Sequence, residues 1–281
     1  MRILNWNILH GGGRLRTPEI LLALLRHDAD LVVLTEFRAS RGSQLRSVLA
    51  DHGLTHQLAS HPATRENANG ILIASRHELA ADTRDSAPPQ ARGRWLSAVV
   101  PGLSLSILAV HVPDDTRPTA KAAFWQAILS HARQRNGEKA LILGDFNTGR
   151  RFQDGPPPEQ SGWASIHGCE ALLGALLSLG FVDAWRRLNP AAREFSWVSW
   201  DGQARRIDAV YLSPALAATL QTAAYSQLER EAGLSDHAPL LVELALPKAS
   251  ARSAAAPGLF APRPAEAGRA HPAPGEKAPV S

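Results

Sequence analysis

Glu138-Lys-Ala-Leu-Ile-Leu-Gly-Asp-Phe-Asn147 is the stretch on which the reading of this chain turns. Ala140 to Leu143 is an unbroken apolar run of strand length, bounded by turn residues, and reads as a strand buried on both faces. Gly144 permits a tight backbone turn, with Asp145 and Asn147 at the strand's end. A carboxylate and an amide two residues apart, just past a buried strand, stand where open α/β sheets place ligand groups. Taken alone, the same residues equally suit an ordinary turn, because Asp, Asn and Gly populate turns. The remainder of the chain has to decide.

Upstream, residues 2–7 alternate loosely as a first strand and lead into Gly11-Gly12-Gly13. Thr17-Pro18-Glu19 predicts a helix start, with Thr as N-cap, Pro at the first helical position and an acid in the first turn. That helix runs to about residue 27, and 30–36 is a second buried strand ending in Glu36. Residues 43–52 read as a helix and 70–75 as a strand. Residues 94–100 and 104–110 read as a hairpin turned at Pro101-Gly102, its second strand ending in His111-Val-Pro-Asp-Asp115. Residues 119–135 form a helix with Phe124, Trp125, Ile128 and Leu129 on its apolar face.

Downstream, 149–162 is a long Pro/Gly-rich loop beside the candidate site, suited to a lid or substrate contact. A helix over 170–179 closes at Gly180. Strands follow at 194–200, 205–212 and 220–225, and 240–246 ends the fold. Strands outnumber helices, and hairpins mix with strand–helix–strand crossovers. The fold class is therefore α/β, with two mixed sheets packed face to face and helices outside.

With 281 residues, 44% of them hydrophobic, the chain can bury a sizeable core. No apolar run approaches the ~20 residues of a membrane span, and the first residues lack the apolar stretch of a secretory signal. The single Cys169 rules out an internal disulfide and fits a cytoplasmic setting. Net charge is +4, but residues 248–281 carry five cations against two acids, leaving about +1 on residues 1–247. We expect a domain over 1–247 and a disordered, basic, Ala/Pro-rich tail over 248–281. The tail has two uses in this reading: a weak tether to polyanions, or solubility alone. A monomer is expected.

Several expected strands finish in groups suited to metal or phosphate: Asn7, Glu36, His111, Asp145 with Asn147, and Asp208, with Asp236-His237 just before the last strand. Oxygen-rich donors point to a hard divalent cation, Mg²⁺ or Mn²⁺, rather than structural zinc. Histidines among them suit donation to a phosphate or work as a base partner.

The ordered set Asn-Trp-Asn7, Thr-Glu36, His111-Val-Pro, Gly-Asp145-Phe-Asn147, Arg206-Ile-Asp208 and Ser235-Asp236-His237 resembles the endonuclease/exonuclease/phosphatase superfamily. That group includes exonuclease III-type apurinic endonucleases, DNase-like nucleases, sphingomyelinases and inositol-polyphosphate phosphatases. The resemblance spans residues 2 to 246 and implies a four-layer α/β sandwich with the site at one edge of the two sheets. It implies that Glu36 is the main metal-binding carboxylate, helped by Asn7 and Asp236. Asp145 resembles the residue that orients or deprotonates the attacking water, and Asn147 the one that positions it or the phosphate. His237 resembles the histidine beside the scissile phosphate, Asp208 the acid that orients it, and His111 the histidine of the DNase and sphingomyelinase branches.

Departures bear on the substrate. Leu9 stands where exonuclease III-type enzymes carry an acid, His111 where they carry tyrosine, and Asp114 where they often carry Asn. Among weaker features, Asn69 either faces the site or makes an Asn-Gly turn, and Arg92 and Arg94 either reach phosphate or lie solvated. Trp197 and Trp200 read as half-buried sheet residues, and Trp163 as a loop residue able to stack on a base. The implied function is a divalent-metal-dependent phosphodiester hydrolase, foremost a nuclease with nucleic acid as substrate. The alternatives are a phosphatase or phosphodiesterase of a small phosphorylated molecule or lipid headgroup, and a catalytically silent binding module.

Overall fold

The computed structural model describes residues 1–247 except 61–66, 85–86, 89–90, 92, 152 and 156–166. The tail over 248–281, most of the 149–162 loop, Arg92 and Trp163 therefore lie outside the described residues. In chain order the elements are β1 (Arg2–Asn7), α1 (Gly13–His27), β2 (Leu31–Phe37), α2 (Ala39–Asp51), β3 (His56–Ala59), β4 (Gly70–Ser75) and β5 (Ala80–Ala81). Then come β6 (Trp95–Val100), β7 (Leu105–His111), α3 (Pro118–Gln134), β8 (Lys139–Asp145), α4 (His167–Ser178), β9 (Val182–Asp183) and α5 (Ala184–Leu188). The last third holds β10 (Trp197–Val198), β11 (Ala204–Arg205), β12 (Asp208–Leu212), α6 (Pro214–Ala217), β13 (Leu220–Tyr225), α7 (Leu228–Glu231) and β14 (Leu240–Leu244).

Two six-stranded mixed sheets form, in the orders β13-β14-β1-β2-β4-β3 and β5-β6-β7-β8-β12-β9, beside a two-stranded β10-β11 ribbon. The layering follows from strand periodicity, since alternate residues face opposite sides. Leu141 and Leu143 of β8 face the other sheet, sharing a core with Ile3, Val33, Ile73, Ile107 and Val210. Ala140 and Ile142 face outward onto Phe124, Trp125 and Ile128 of α3 and Leu173 of α4. On the other sheet Leu4, Trp6, Val32 and Leu34 pack on Ile20 and Leu24 of α1 and Leu45 and Leu49 of α2. The result is the expected four-layer α/β sandwich, with a hydrophobic core between the sheets and one under each helical layer.

Register brings the site together. The parallel pairs β1-β2 and β7-β8 end at one edge, and β8 sets Asp145 opposite both His111 of β7 and Asp208 of antiparallel β12. At Gly144 the chains come too close for a side chain: an added Cβ would fall 1.9 Å from the Val110 carbonyl oxygen, and φ is +142°. Glycine is required there by sterics rather than by turn preference. In β2 the pairing with β4 slips between Thr35 and Phe37, and Glu36 at the slip has φ +57°. That bulge ends the regular alternation and re-aims the carboxylate.

Some expected boundaries differ. Helix α1 starts at Gly13, not Thr17, with Pro18 inside it. Arg16 explains the extra turn, because its guanidinium donates to Leu9 O (3.0 Å) and Leu234 O (2.8 Å) and pins the chain there. The expected strand over 205–212 breaks at Arg206, whose buried guanidinium turns away to Asp154 (2.7 Å) and Asp183 (2.8 Å). The strand over 194–200 shortens to two residues, and Trp200, expected half-buried, is 98% exposed.

Candidate active site

Asp145 ends β8 inside a cage of polar groups. Its Oδ1 accepts the Asn147 backbone N–H (2.9 Å), and its Oδ2 accepts Asn7 Nδ2 (3.0 Å). The same Asn7 nitrogen lies 3.4 Å from Glu36 Oε1, while Asn7 Oδ1 accepts the Leu9 N–H at 3.0 Å. Asn7 was expected among the metal-holding groups; here its amide oxygen is occupied by Leu9 and its nitrogen bridges two carboxylates. Burial pushes the Asp145 carboxyl up to about 7, reinforced by the charge of Asp208 and opposed by His237.

His237 is held on every side. Its Nδ1 stands 2.7 Å from Asp208 Oδ2, its backbone N–H donates to Ser235 Oγ (3.1 Å), and its carbonyl accepts Trp6 Nε1 (2.9 Å). Asp208 is fixed in turn, with its N–H on Ser196 Oγ (3.0 Å) and its carbonyl accepting the Tyr225 hydroxyl (2.6 Å). Burial disfavours an imidazolium, but the Asp208 carboxylate outweighs it and lifts His237 to about 10. His237 is therefore cationic at neutral pH, and its Nε2 lies 3.9 Å from both Asp145 Oδ2 and Asp236 Oδ1.

His111 takes the opposite protonation state. Its Nε2 points between Asp145 Oδ2 (3.6 Å) and Glu36 Oε1 (4.0 Å). Burial, then the cationic charge of Arg94 and the neighbouring His237 and His10, hold it well below the usual histidine range. Glu36 Oε2 accepts the His10 N–H (2.8 Å) and Asn69 Nδ2 (2.9 Å). Asp236 Oδ2 accepts Trp197 Nε1 at 2.9 Å, and Trp197 is bridged in backbone pairing to His237. Asn147, at φ +45°, turns its side-chain amide onto Val112 O (2.9 Å), so its contribution to Asp145 is the backbone N–H.

The structure thus chains Glu36, Asn7, Asp145, His111, Asp208, His237 and Asp236 together by contacts of 2.7–4.0 Å, and sets Asn147 beside them. Asp208 serves His237, while Arg206 pairs with Asp154 and Asp183. Asp114 caps the turn before α3 through the Thr116 N–H (3.0 Å), and Arg94 donates to the His111 carbonyl (3.4 Å). Sequence reasoning missed His10 altogether, and it missed Lys121, a buried lysine that donates to Asp115 Oδ1 (2.6 Å) and to the Asn147 carbonyl. A lysine on an otherwise apolar helix face is the signal that could have found it.

The donor set fits a divalent cation. Asp208 Oδ1 and Asp236 Oδ1 are buried with no hydrogen-bond partner, a costly state that a cation would relieve. Among the described residues, carboxylate oxygens of Asp145 and Asp208 lie within 4.8 Å of each other. Carboxylates dominate, as hard ions require.

Comparison with known proteins bears on the family and the fold. The sequence profile described as the Endonuclease/Exonuclease/phosphatase family matches residues 4–237. No curated protein matches. Among solved structures, a Neisseria 3′ phosphatase bound to product DNA hairpin is 24% identical with a TM-score of 0.74, covering 88% of this chain and 100% of that one. An AP endonuclease from Archaeoglobus fulgidus is 20% identical with a TM-score of 0.74, over 88% and 100%. A 3′-5′ exonuclease from Neisseria meningitidis is 25% identical with a TM-score of 0.70, over 87% and 99%.

Proposed function

The chain belongs to the endonuclease/exonuclease/phosphatase family, and from that premise we propose that it is a divalent-metal-dependent hydrolase of phosphoric esters in nucleic acid, with DNA foremost. The observation that carries this reading is the pair of opposed buried groups at one β-edge: the Asp208-held imidazolium of His237, 3.9 Å from the Asp145 carboxylate that Asn7 steadies. A structural neighbour bound to product DNA hairpin and another described as an AP endonuclease support the substrate class.

Glu36 and Asp236 are the residues we assign to hold Mg²⁺ or Mn²⁺, with Asp208 Oδ1 a further free oxygen. When bound, the ion supplies charge stabilisation to non-bridging phosphate oxygens. His237 Nε2 donates a hydrogen bond to the phosphate, and Asp208 keeps that proton on Nε2 by occupying Nδ1. Asp145, raised toward neutrality by burial, orients water and takes its proton, while Asn7 and the Asn147 N–H fix its two oxygens. His111, neutral, offers its Nε2 between Asp145 and Glu36 as a hydrogen-bonding group without adding charge. Such a site cleaves a diester or a terminal monoester alike.

A second reading, a small phosphorylated molecule or lipid headgroup as substrate, is favoured by the net charge of about +1 on residues 1–247, since duplex binding draws on surplus cations. The lone, buried Cys169 fits a reducing compartment. The test is a panel of 3′-phosphorylated DNA, abasic duplex, single-stranded DNA, RNA, an inositol phosphate and sphingomyelin, each with Mg²⁺, Mn²⁺ or EDTA. Metal-dependent release from a DNA member is the expected result; turnover of the inositol phosphate or sphingomyelin alone would move the assignment to the second reading. No cleavage of any member by folded protein would sink both.

A further inference from the structure

A lysine is out of place on the buried face of α3. Phe124, Trp125 and Ile128 on that face pack into the core between α3 and the sheet that holds β8. Lys121 shares the face at helical spacing, with its side chain only 2% exposed. Its Nζ donates to Asp115 Oδ1 (2.6 Å) and to the Asn147 carbonyl oxygen. Taking an ammonium out of water is costly, and a buried ion pair often adds no stability over apolar residues of the same volume. What such a charge does add is direction, because it fixes the acceptors around it.

The acceptor inside the fold is the turn that follows β8. Asn147 has φ +45°, a left-handed conformation that its surroundings must hold. Its N–H donates to Asp145 Oδ1 (2.9 Å), its side-chain Nδ2 donates to Val112 O (2.9 Å), and its carbonyl accepts Lys121. One helical turn further along α3, Trp125 Nε1 donates to Thr148 Oγ1 at 3.0 Å. The Val112 N–H in turn donates to the Asp145 carbonyl at 2.8 Å. Lys121 thereby ties three segments: the chain after β7 through Asp115, the helix that carries it, and the turn after β8. The carbonyl and the N–H of Asn147 belong to one residue, so a rotation about its φ or ψ moves one against the other. Holding the carbonyl keeps the N–H aimed at Asp145.

We propose that Lys121 is a positioning residue for the hydrolytic step: through the Asn147 carbonyl it holds the turn whose N–H orients the Asp145 carboxylate. The inference rests on the reading of Asp145 as the group that handles the attacking water, and adds to it a cation that acts through the backbone. A tie between Lys121 and Asp115 that served the fold alone would stabilise the chain without directing Asp145. The two roles separate in kinetics.

The test is Lys121→Met, which keeps an apolar stem and removes the donor, beside Lys121→Arg, which keeps a donor. Each full-length variant is assayed on the best DNA substrate of the panel with Mg²⁺, once urea unfolding has established that it is folded. Lys121→Met is expected to lower kcat by about 10²-fold with KM within about threefold of wild type. Hydrogen exchange at the Asn147 N–H, read by NMR, is expected to speed up about tenfold. Lys121→Arg is expected to regain about tenfold in kcat over Lys121→Met. If Lys121→Met does not fold, Lys121→Gln, neutral and one bond shorter, takes its place with the same expectations. A folded variant without the ammonium whose kcat stays within about threefold of wild type, with unchanged exchange at Asn147, would overturn the inference and leave the proposed function standing. A wild-type chain that cleaves no member of the panel would instead overturn the reading beneath it, and the exchange measurement would still decide the grip on Asn147.

Discussion

A methyl group at position 144 would sit 1.9 Å from the Val110 carbonyl oxygen, so the residue before the candidate base is fixed by backbone contact between β7 and β8. Gly144→Ala should destabilise the fold by about 3 kcal/mol or more, since both the clash and the positive φ oppose it; urea unfolding would measure the loss, and a midpoint within error of wild type would contradict it. At this scale the sequence was informative where a residue type has few other uses. Gly144-Asp145-Phe146-Asn147 and Ser235-Asp236-His237 announce themselves, and both motifs lie at the site. Asn7 was legible as a site residue, but its hydrogen bonds to Asp145 and the Leu9 N–H were not, because the direction of an amide depends on the Leu9 N–H across a turn. His10 was illegible: its meeting with Glu36 depends on a run of left-handed residues joined to a bulge in another strand.

At the scale of elements, β8 and its neighbours followed from apolar runs and turn residues, and the β6–β7 hairpin from Pro101-Gly102. Helix α1 did not, because a plausible cap at Thr17 lost to tertiary bonds made by Arg16. Its other end carries a second such tie. The fully buried Glu229 carboxylate of α7 accepts from Arg26 and stands 2.8 Å from His27 Nε2. Burial alone would raise its pKa, but the hydrogen bonds from His27 and Ser226 and from the backbone prevail and hold it at about 2, below the ordinary 4.5. The folded state therefore prefers the carboxylate. That contribution is complete above about pH 4.5 and is lost as pH falls through about 2. Glu229→Gln should cost about 2 kcal/mol at neutral pH and flatten the acid limb of the stability curve. Parallel pH–stability curves for variant and wild type would contradict the tie.

Over the whole molecule, the four layers explain why groups from six segments converge. Two parallel pairs end at the same edge, one antiparallel strand begins there, and the last strand is entered from it. None of the described helices is long and apolar enough to cross a membrane. Charge is uneven at this scale, with +3 of the net +4 on residues 248–281. If those residues tether the enzyme to polyanions, deleting them should weaken DNA binding at low salt and reduce the slope of log affinity against log salt by up to about 3–4. An unchanged slope would leave the segment a solubility device. The central claim, that Asp145 activates water at a metal-dependent phosphoric ester site, is tested most directly by the turnover of Asp145→Asn on the best DNA substrate of the panel. With fold and ion binding intact, kcat should fall by about 10³-fold or more; hydrolysis within a few-fold of wild type would contradict it.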